Sequence, residues 1–263
     1  MADWDELNEI AECAAEHEEK YNTLYAQFLQ NVRGTPFPYT YEAMFGFLPR
    51  IESIRHGIFH LIESKEYYSE KILFRSLCEH FLKFQYINLR FINEKTDDVG
   101  KEYTLVSQAK EHVDYGKSLQ YRSELMGHKT QSNPLDMIRK YNKEWKDLSE
   151  QEMYAKAKCF THRNMMKSIS DILGASGSCE IPFLGPMLSG YSELSSYVHG
   201  GPNAGIETAH AYAEEGIPFG EDLEVALQMS LFAKVMAFSC FSKEEPEFLK
   251  LAGNLKGLVN RIG

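Results

Sequence analysis

Arg75 and Glu79 stand four residues apart in Phe74-Arg75-Ser76-Leu77-Cys78-Glu79. At about 100° per residue they fall on one side of a helix, about 40° apart. Leu73, Leu77, Phe81 and Phe84 on one side of that segment, with Ile72, Cys78, Leu82, Tyr86 and Leu89 on the other, make it apolar nearly all round. Such a helix is a buried one, and a charge buried in it needs a partner. The two residues can answer each other, but Arg preceding Glu is the weaker orientation for a helical pair and leaves room for a third group. Tyr191, Ser195 and His199, at i, i+4 and i+8 beside Leu194 and Val198, can supply one. Joined, the two helices would line a polar pocket in which Arg75 holds an anion, His199 moves a proton, Glu79 orients it, Tyr191 adds a hydroxyl and Ser195 touches the substrate. The plainer alternative is a core ion pair, a capping histidine and a core tyrosine.

Apolar positions at helical spacing predict the elements that carry these residues. A long first helix spans residues 3 to 32, closed by Gly34 and Pro36. Helices follow over Tyr41 to Glu63, Tyr67 to Asn93, Lys101 to Met126, Pro134 to Trp145 and Met153 to Leu173. The stretch from Gly174 to Pro186 is dense in breakers and reads as a loop. A short helix then runs from Pro186 to His199, and Gly200 to Gly220 reads as a connection or a loop over the pocket. Glu221 to Phe241 and Glu247 to Ile262 close the chain. The expected fold is all-α, a single domain over 1-263 of about nine helices, with an acidic N-terminal helix (1-33) and a helical core (41-263).

Composition narrows the function classes. Of 263 residues, 43% are hydrophobic and 25% charged, the balance of a packed globular chain rather than a disordered one. The net charge of −10 disfavours chain-wide attraction to nucleic acid or to an anionic membrane. Five cysteines, at 13, 78, 159, 179 and 240, form no Cys-x-x-Cys pair, which fits a reducing cytoplasm. The acidic start lacks the features of a signal peptide. The most apolar stretch, Leu227 to Phe241, is shorter than the roughly 18 residues a membrane span needs. A cytoplasmic protein without a membrane segment is expected.

The Arg75-x-x-x-Glu79 helix and the string Tyr191-x-x-x-Ser195-x-x-x-His199-Gly200 resemble a bacterial all-helical family catalogued only as a domain of unknown function, over roughly residues 45 to 240. The resemblance implies an all-helical bacterial protein and assigns no activity. More distantly the chain is similar to the HEPN superfamily, helical bundles many of whose members cut RNA without metal through an Arg-x(4 to 6)-His motif in toxin-antitoxin and phage-defence systems. Arg55 to His60, Arg75 to His80 and Arg122 to His128 match that spacing. With nine Arg and nine His in the chain, about one match arises by chance. The likeness would give His60 the role of general base on a ribose hydroxyl, Arg55 that of phosphate holder, and a homodimer that brings two motifs together.

Other chemistries find less support. Glu52, His56 and His60 share a helical face, but His-Glu-x-x-His is absent and Glu-x-x-His occurs once, at Glu207 to His210, so no metal site is expected. P-loop, Rossmann and serine-hydrolase signatures are missing, as is any DNA-binding motif; no cofactor is expected. Residues 139 to 167 carry eight Lys and Arg against four Asp and Glu, with Tyr141, Trp145, Tyr154 and His162 interleaved. Lys156, Lys158 and Arg163 in that stretch are candidate RNA contacts, unless the acidic first helix docks on them. Two classes stay open: a metal-independent ribonuclease or nucleotide-acting effector of a defence or stress system, and a non-catalytic helical module for a protein partner.

Overall fold

The computed structural model describes residues 4–128, 133–140, 142–176, 184–213 and 219–262. Among them no strand occurs, and twelve helices run six residues or longer, eleven of them eight or longer. The all-α class is as expected and the helix count is near the expected nine, the excess arising where expected helices divide and where one forms in the expected Gly200 to Gly220 connection.

The N-terminal run divides into α1 (Trp4–Glu19) and α2 (Asn22–Asn31). The break falls at Tyr21, whose φ of −108° and ψ of 5° leave the helical region. α1 carries its acidic face away from the basic stretch: it packs on the last two helices, α12 (Phe219–Phe241) and α13 (Phe248–Ile262). Glu18 meets Lys234 at 2.6 Å and Glu9 meets Arg261 at 3.0 Å. The docking of α1 on residues 139 to 167 is thereby corrected.

α3 (Pro38–Glu63) starts on a proline at its first position, a site that needs no N–H. Its next two backbone amides donate to the Asp97 carboxylate, Tyr39 at 3.2 Å and Thr40 at 2.8 Å, so a residue 57 positions downstream caps the helix. Gly100 makes that approach possible, because a Cβ there would lie 2.1 Å from the Thr40 nitrogen. α4 (Tyr67–Glu94) is the central helix, packed against α3, α9, α10 and α12. Its Leu77, Phe81, Phe84, Ile87 and Phe91 are buried, as the all-round apolar pattern requires. Aromatic rings join the N- and C-terminal helices to α3: Phe45 stacks on Phe241 at 4.4 Å, and Phe28 contacts Tyr41, Phe45, Phe241 and Phe248.

The middle of the chain is more broken than its periodicity suggests. Lys101 to Met126 resolves into α5 (Asp98–Lys101), a π-helical turn (Glu102–Ser107) and α6 (Gln108–Leu125). α7 (Pro134–Arg139) stops before a 3-10 turn at Lys143–Trp145. α8 (Glu150–Ala157) and α9 (His162–Ser176) are separated by a 3-10 turn at Lys158–Phe160. Side chains from this region, including Val113, Trp145 and Met153, form a small second core. The expected loop from Gly174 to Pro186 lies mainly outside the described residues.

α10 (Leu184–His199) is followed by α11 (Pro202–Ala213), so most of Gly200 to Gly220 is helix rather than loop. The joint needs its glycines. Gly200 has φ of +65°, and a Cβ on Gly201 would strike the Ser196 Oγ at 2.3 Å. By length and composition α12 is apolar enough to cross a bilayer, contrary to the expectation from Leu227 to Phe241, but most of it is buried inside the fold.

Candidate functional site

α4, α9 and α10 meet around Arg75. The Arg75 side chain is 10% exposed, and its Nη2 lies 3.2 Å from the Glu79 carboxylate one turn on. The same nitrogen donates to the Tyr191 hydroxyl from α10 at 3.1 Å, and that hydroxyl donates to Glu79 at 3.3 Å. The guanidinium carbon is 4.8 Å from the centre of the Tyr191 ring, within cation–π range. Three residues from two separate motifs thus close a triangle, as their types and spacing suggested. Two donors are left over. Arg75 Nε and Nη1 are buried without a hydrogen-bond partner, a costly condition for a guanidinium.

A fourth member was not foreseen as part of the site. His162 opens α9, and its ring stacks on Tyr191 at 3.7 Å and 22°. Burial and then the nearby Arg75 charge lower its pKa below the ordinary histidine value, against the opposing pull of Glu79. The helix N-terminus beneath it acts in the same direction. The imidazole is therefore neutral at pH 7 and able to accept a proton. In the sequence His162 registered only within the basic stretch, because it lies 87 residues from Arg75 on another helix and no helical spacing connects them.

The remaining candidates lie elsewhere. His199 is exposed at the end of α10, two turns past Tyr191, and among the described residues no hydrogen bond or ion pair joins it to Arg75, Glu79 or Tyr191. Ser195 is half-buried between them. Arg55 and His60 diverge: Arg55 is buried against Glu52 at 2.5 Å, whereas His60 is exposed near Glu63. Five residues turn a helix through about 500°, which sets the two on different faces. The same geometry separates Arg75 from His80, whose Nδ1 is tied to the Ser76 carbonyl at 2.8 Å. His56 is the histidine beside Arg55, its Nε2 3.1 Å from the guanidinium.

Lys156 pairs with Glu152 at 2.9 Å and lines a groove of about 570 Å³ with Glu94, Asp98, Glu102 and Glu152, a mainly acidic setting. Lys158 and Arg163 are exposed, flanking His162 in sequence. Among the described residues no group of three or more His, Cys, Asp or Glu is placed to hold a metal ion. Burial pushes the Cys78 thiol up to about 12 and that of Cys240 up to about 11, so neither is an activated nucleophile.

Fold and site together describe an all-α protein with a buried arginine, a carboxylate, a tyrosine and a neutral histidine converging from three helices. The chain belongs to a family of unknown function, DUF5677, whose model matches residues 41–211. That span runs from α3 to α11 and contains the whole cluster. No curated protein and no solved structure matches the chain significantly.

Proposed function

We propose that this protein is a metal-independent ribonuclease or nucleotide-acting effector whose site is Arg75, Glu79, Tyr191 and His162. The observation that carries the reading is the pair of unpartnered, buried Arg75 donors, with His162 stacked on the same Tyr191 ring that the guanidinium faces. An oxyanion is the natural complement of such a guanidinium, and a histidine stacked on Tyr191, its pKa lowered by burial, is the natural candidate for the base. On an RNA phosphodiester, His162 would take the proton of a ribose 2′-hydroxyl as its oxygen attacks the adjacent phosphorus. The bond to the 5′-oxygen breaks, the imidazolium returns the proton to that oxygen, and a 2′,3′-cyclic phosphate remains. Arg75 would hold the non-bridging oxygens, with Glu79 and Tyr191 fixing its orientation. Lys158 and Arg163 are exposed where they can meet the flanking backbone. The setting in a bacterial defence or stress response and the assembly of a homodimer belong to the same proposal and rest on the resemblance; the cytoplasmic location, proposed with them, rests on the cysteine usage.

A second reading draws on the same triangle. Arg75, Glu79 and Tyr191 already answer one another, as they would in a non-catalytic module whose partner is a protein. Incubation of the purified chain with end-labelled RNA in EDTA separates the two. The catalytic reading expects cyclic-phosphate products, a loss of about 100-fold or more in His162→Ala and Arg75→Ala, and a rate that falls on acidification only below the ordinary histidine range. Intact RNA with folded wild-type protein, or cleavage unchanged in folded His162→Ala, would leave the interaction module.

A further inference from the structure

A cavity of about 490 Å³ lies on the other side of α3, where the α1–α2 break meets α12 and α13. It is independent of the Arg75 cluster, and its walls other than α3 come from outside the family-matched span. Its volume falls in the range of small-molecule sites.

Two features of α3 keep this space open without a structural return. Gly46 sits in mid-helix, where glycine is a poor helix former. A Cβ built on it meets nothing within 4 Å, so sterics do not demand glycine there. A side chain at that position would fill part of the cavity instead. Pro49, one turn later on the same wall, has no N–H to give the Phe45 carbonyl, which thus lacks its helical donor.

Among the charged groups that line the space, Glu18 is the one with spare hydrogen-bonding capacity; Glu42 is taken by Arg33 at 2.7 Å. Lys234, with a side chain only 6% exposed, is consumed by Glu18 at 2.6 Å and Glu52 at 2.8 Å. Glu52 is itself saturated by Arg55, Ser230 and Lys234. Glu18 uses only Oε1, so its second oxygen is free among the described residues. The rings of Tyr21, Tyr25 and Phe45 complete the wall. Burial, and then the Glu18 charge, push the Tyr25 hydroxyl well above its ordinary pKa; the second of these marks a local field that favours positive charge. A free carboxylate oxygen and aromatic faces together suit an ammonium group.

We propose that this cavity binds a small apolar molecule bearing one protonated amine, with Glu18 receiving the ammonium group and the aromatic wall the apolar body. Calorimetric titration of the full chain with phenethylamine, 2-phenylethanol and 3-phenylpropionate tests it. The expected result is binding of the amine, binding of the alcohol weaker by about tenfold or more, and none of the carboxylate. Gly46→Leu should abolish amine binding while melting at or above the wild-type temperature. Glu18→Gln, which leaves the cavity walls in place, should bring the amine down to the affinity of the alcohol. No binding of phenethylamine at millimolar concentration, equal binding of the carboxylate, or unchanged amine affinity in folded Gly46→Leu or in Glu18→Gln would each overturn the proposal. RNA cleavage does not depend on this cavity, so each proposal can fail without the other.

Discussion

Two buried charge networks flank the α3–α4 pair, and they differ in how completely they are satisfied. Around Lys234 the ammonium group and Glu52 are fully answered, and only the outer oxygen of Glu18, at the cavity, is left over: Glu18 and Glu52 hold the ammonium group, and Arg55 and Ser230 complete Glu52. Burial opposes ionisation of Glu52, but the Lys234 and Arg55 charges outweigh it and hold the carboxyl far below its usual range. Around Arg75 one guanidinium nitrogen serves two partners while Nε and Nη1 have none. The buried centre of the Lys234 network has spent its hydrogen-bonding capacity on the fold. An unsaturated one keeps capacity for something else, and that distinction, rather than burial or charge, separates the structural network from the candidate site.

The contrast predicts opposite effects of the same substitution. Lys234→Met leaves Glu18 and Glu52 short of a buried partner and should destabilise by about 3 to 5 kcal/mol, lowering Tm on the order of 10 °C. Arg75→Met removes two unpartnered donors, and Glu79, with its side chain 37% exposed, can turn to water. Its stability cost should be about 1 kcal/mol or less, with cleavage lost. Thermal melts of both variants check this. If Arg75→Met melts as low as Lys234→Met, the distinction between the networks fails.

Glu70 sharpens the comparison, because it is unsatisfied without being part of either network. Its side chain is fully buried, neither oxygen has a hydrogen bond, and Lys71, 3.9 Å away, is taken by Asp222. Burial, and then the Asp222 charge, push its pKa from 4.5 up to about 8. The folded chain therefore keeps this proton through neutrality, whereas the unfolded chain releases it in the ordinary carboxylate range. Between those values the unfolded state binds fewer protons, so stability falls as pH rises through the window. Melts from pH 5 to 8 should show that decline in the wild type and a flatter profile in Glu70→Gln. An equal decline in both would mean that Glu70 is ionised or solvated in the fold. An unsatisfied acceptor thus reads as a proton holder, while an unsatisfied guanidinium, which cannot shed its charge, reads as an anion site.

How far the sequence reveals all this depends on what each signal measures. Periodicity reports burial, so the apolar surround of Arg75 and Glu79 correctly marked α4 as central, and the i, i+4 spacing correctly paired them. Tyr191 was legible for the same reason. His162 was not, since only tertiary packing brings the start of α9 onto α10. The Arg55 to His60 spacing was misleading in the opposite way: the two residues are close in the chain, but helical rotation sends one into the core and the other to solvent. Helix ends were the least legible feature, because the breaks at Tyr21 and at Lys158–Phe160 involve no Gly or Pro. α11 was hidden by Gly200, Gly201 and Pro202, which mark a joint between helices as readily as a loop.

The smallest predicted effect concerns the residues whose motif spacing drew attention and whose placement withdraws it. The side chain of His60 is 78% exposed, and His199 is exposed at a helix end. Surface substitutions away from caps and networks usually change stability by about 0.5 kcal/mol or less, so His60→Ala and His199→Ala should melt within one or two degrees of the wild type. Neither touches Arg75 or His162, so cleavage by a single chain should also be unchanged. A large loss of activity in His199→Ala, with the melt unaffected, would be informative in a specific direction. It would require the exposed end of α10 to reach the substrate beyond Tyr191, or to reach it from a second copy of the chain, and the site would then be wider than the four residues that meet around Arg75.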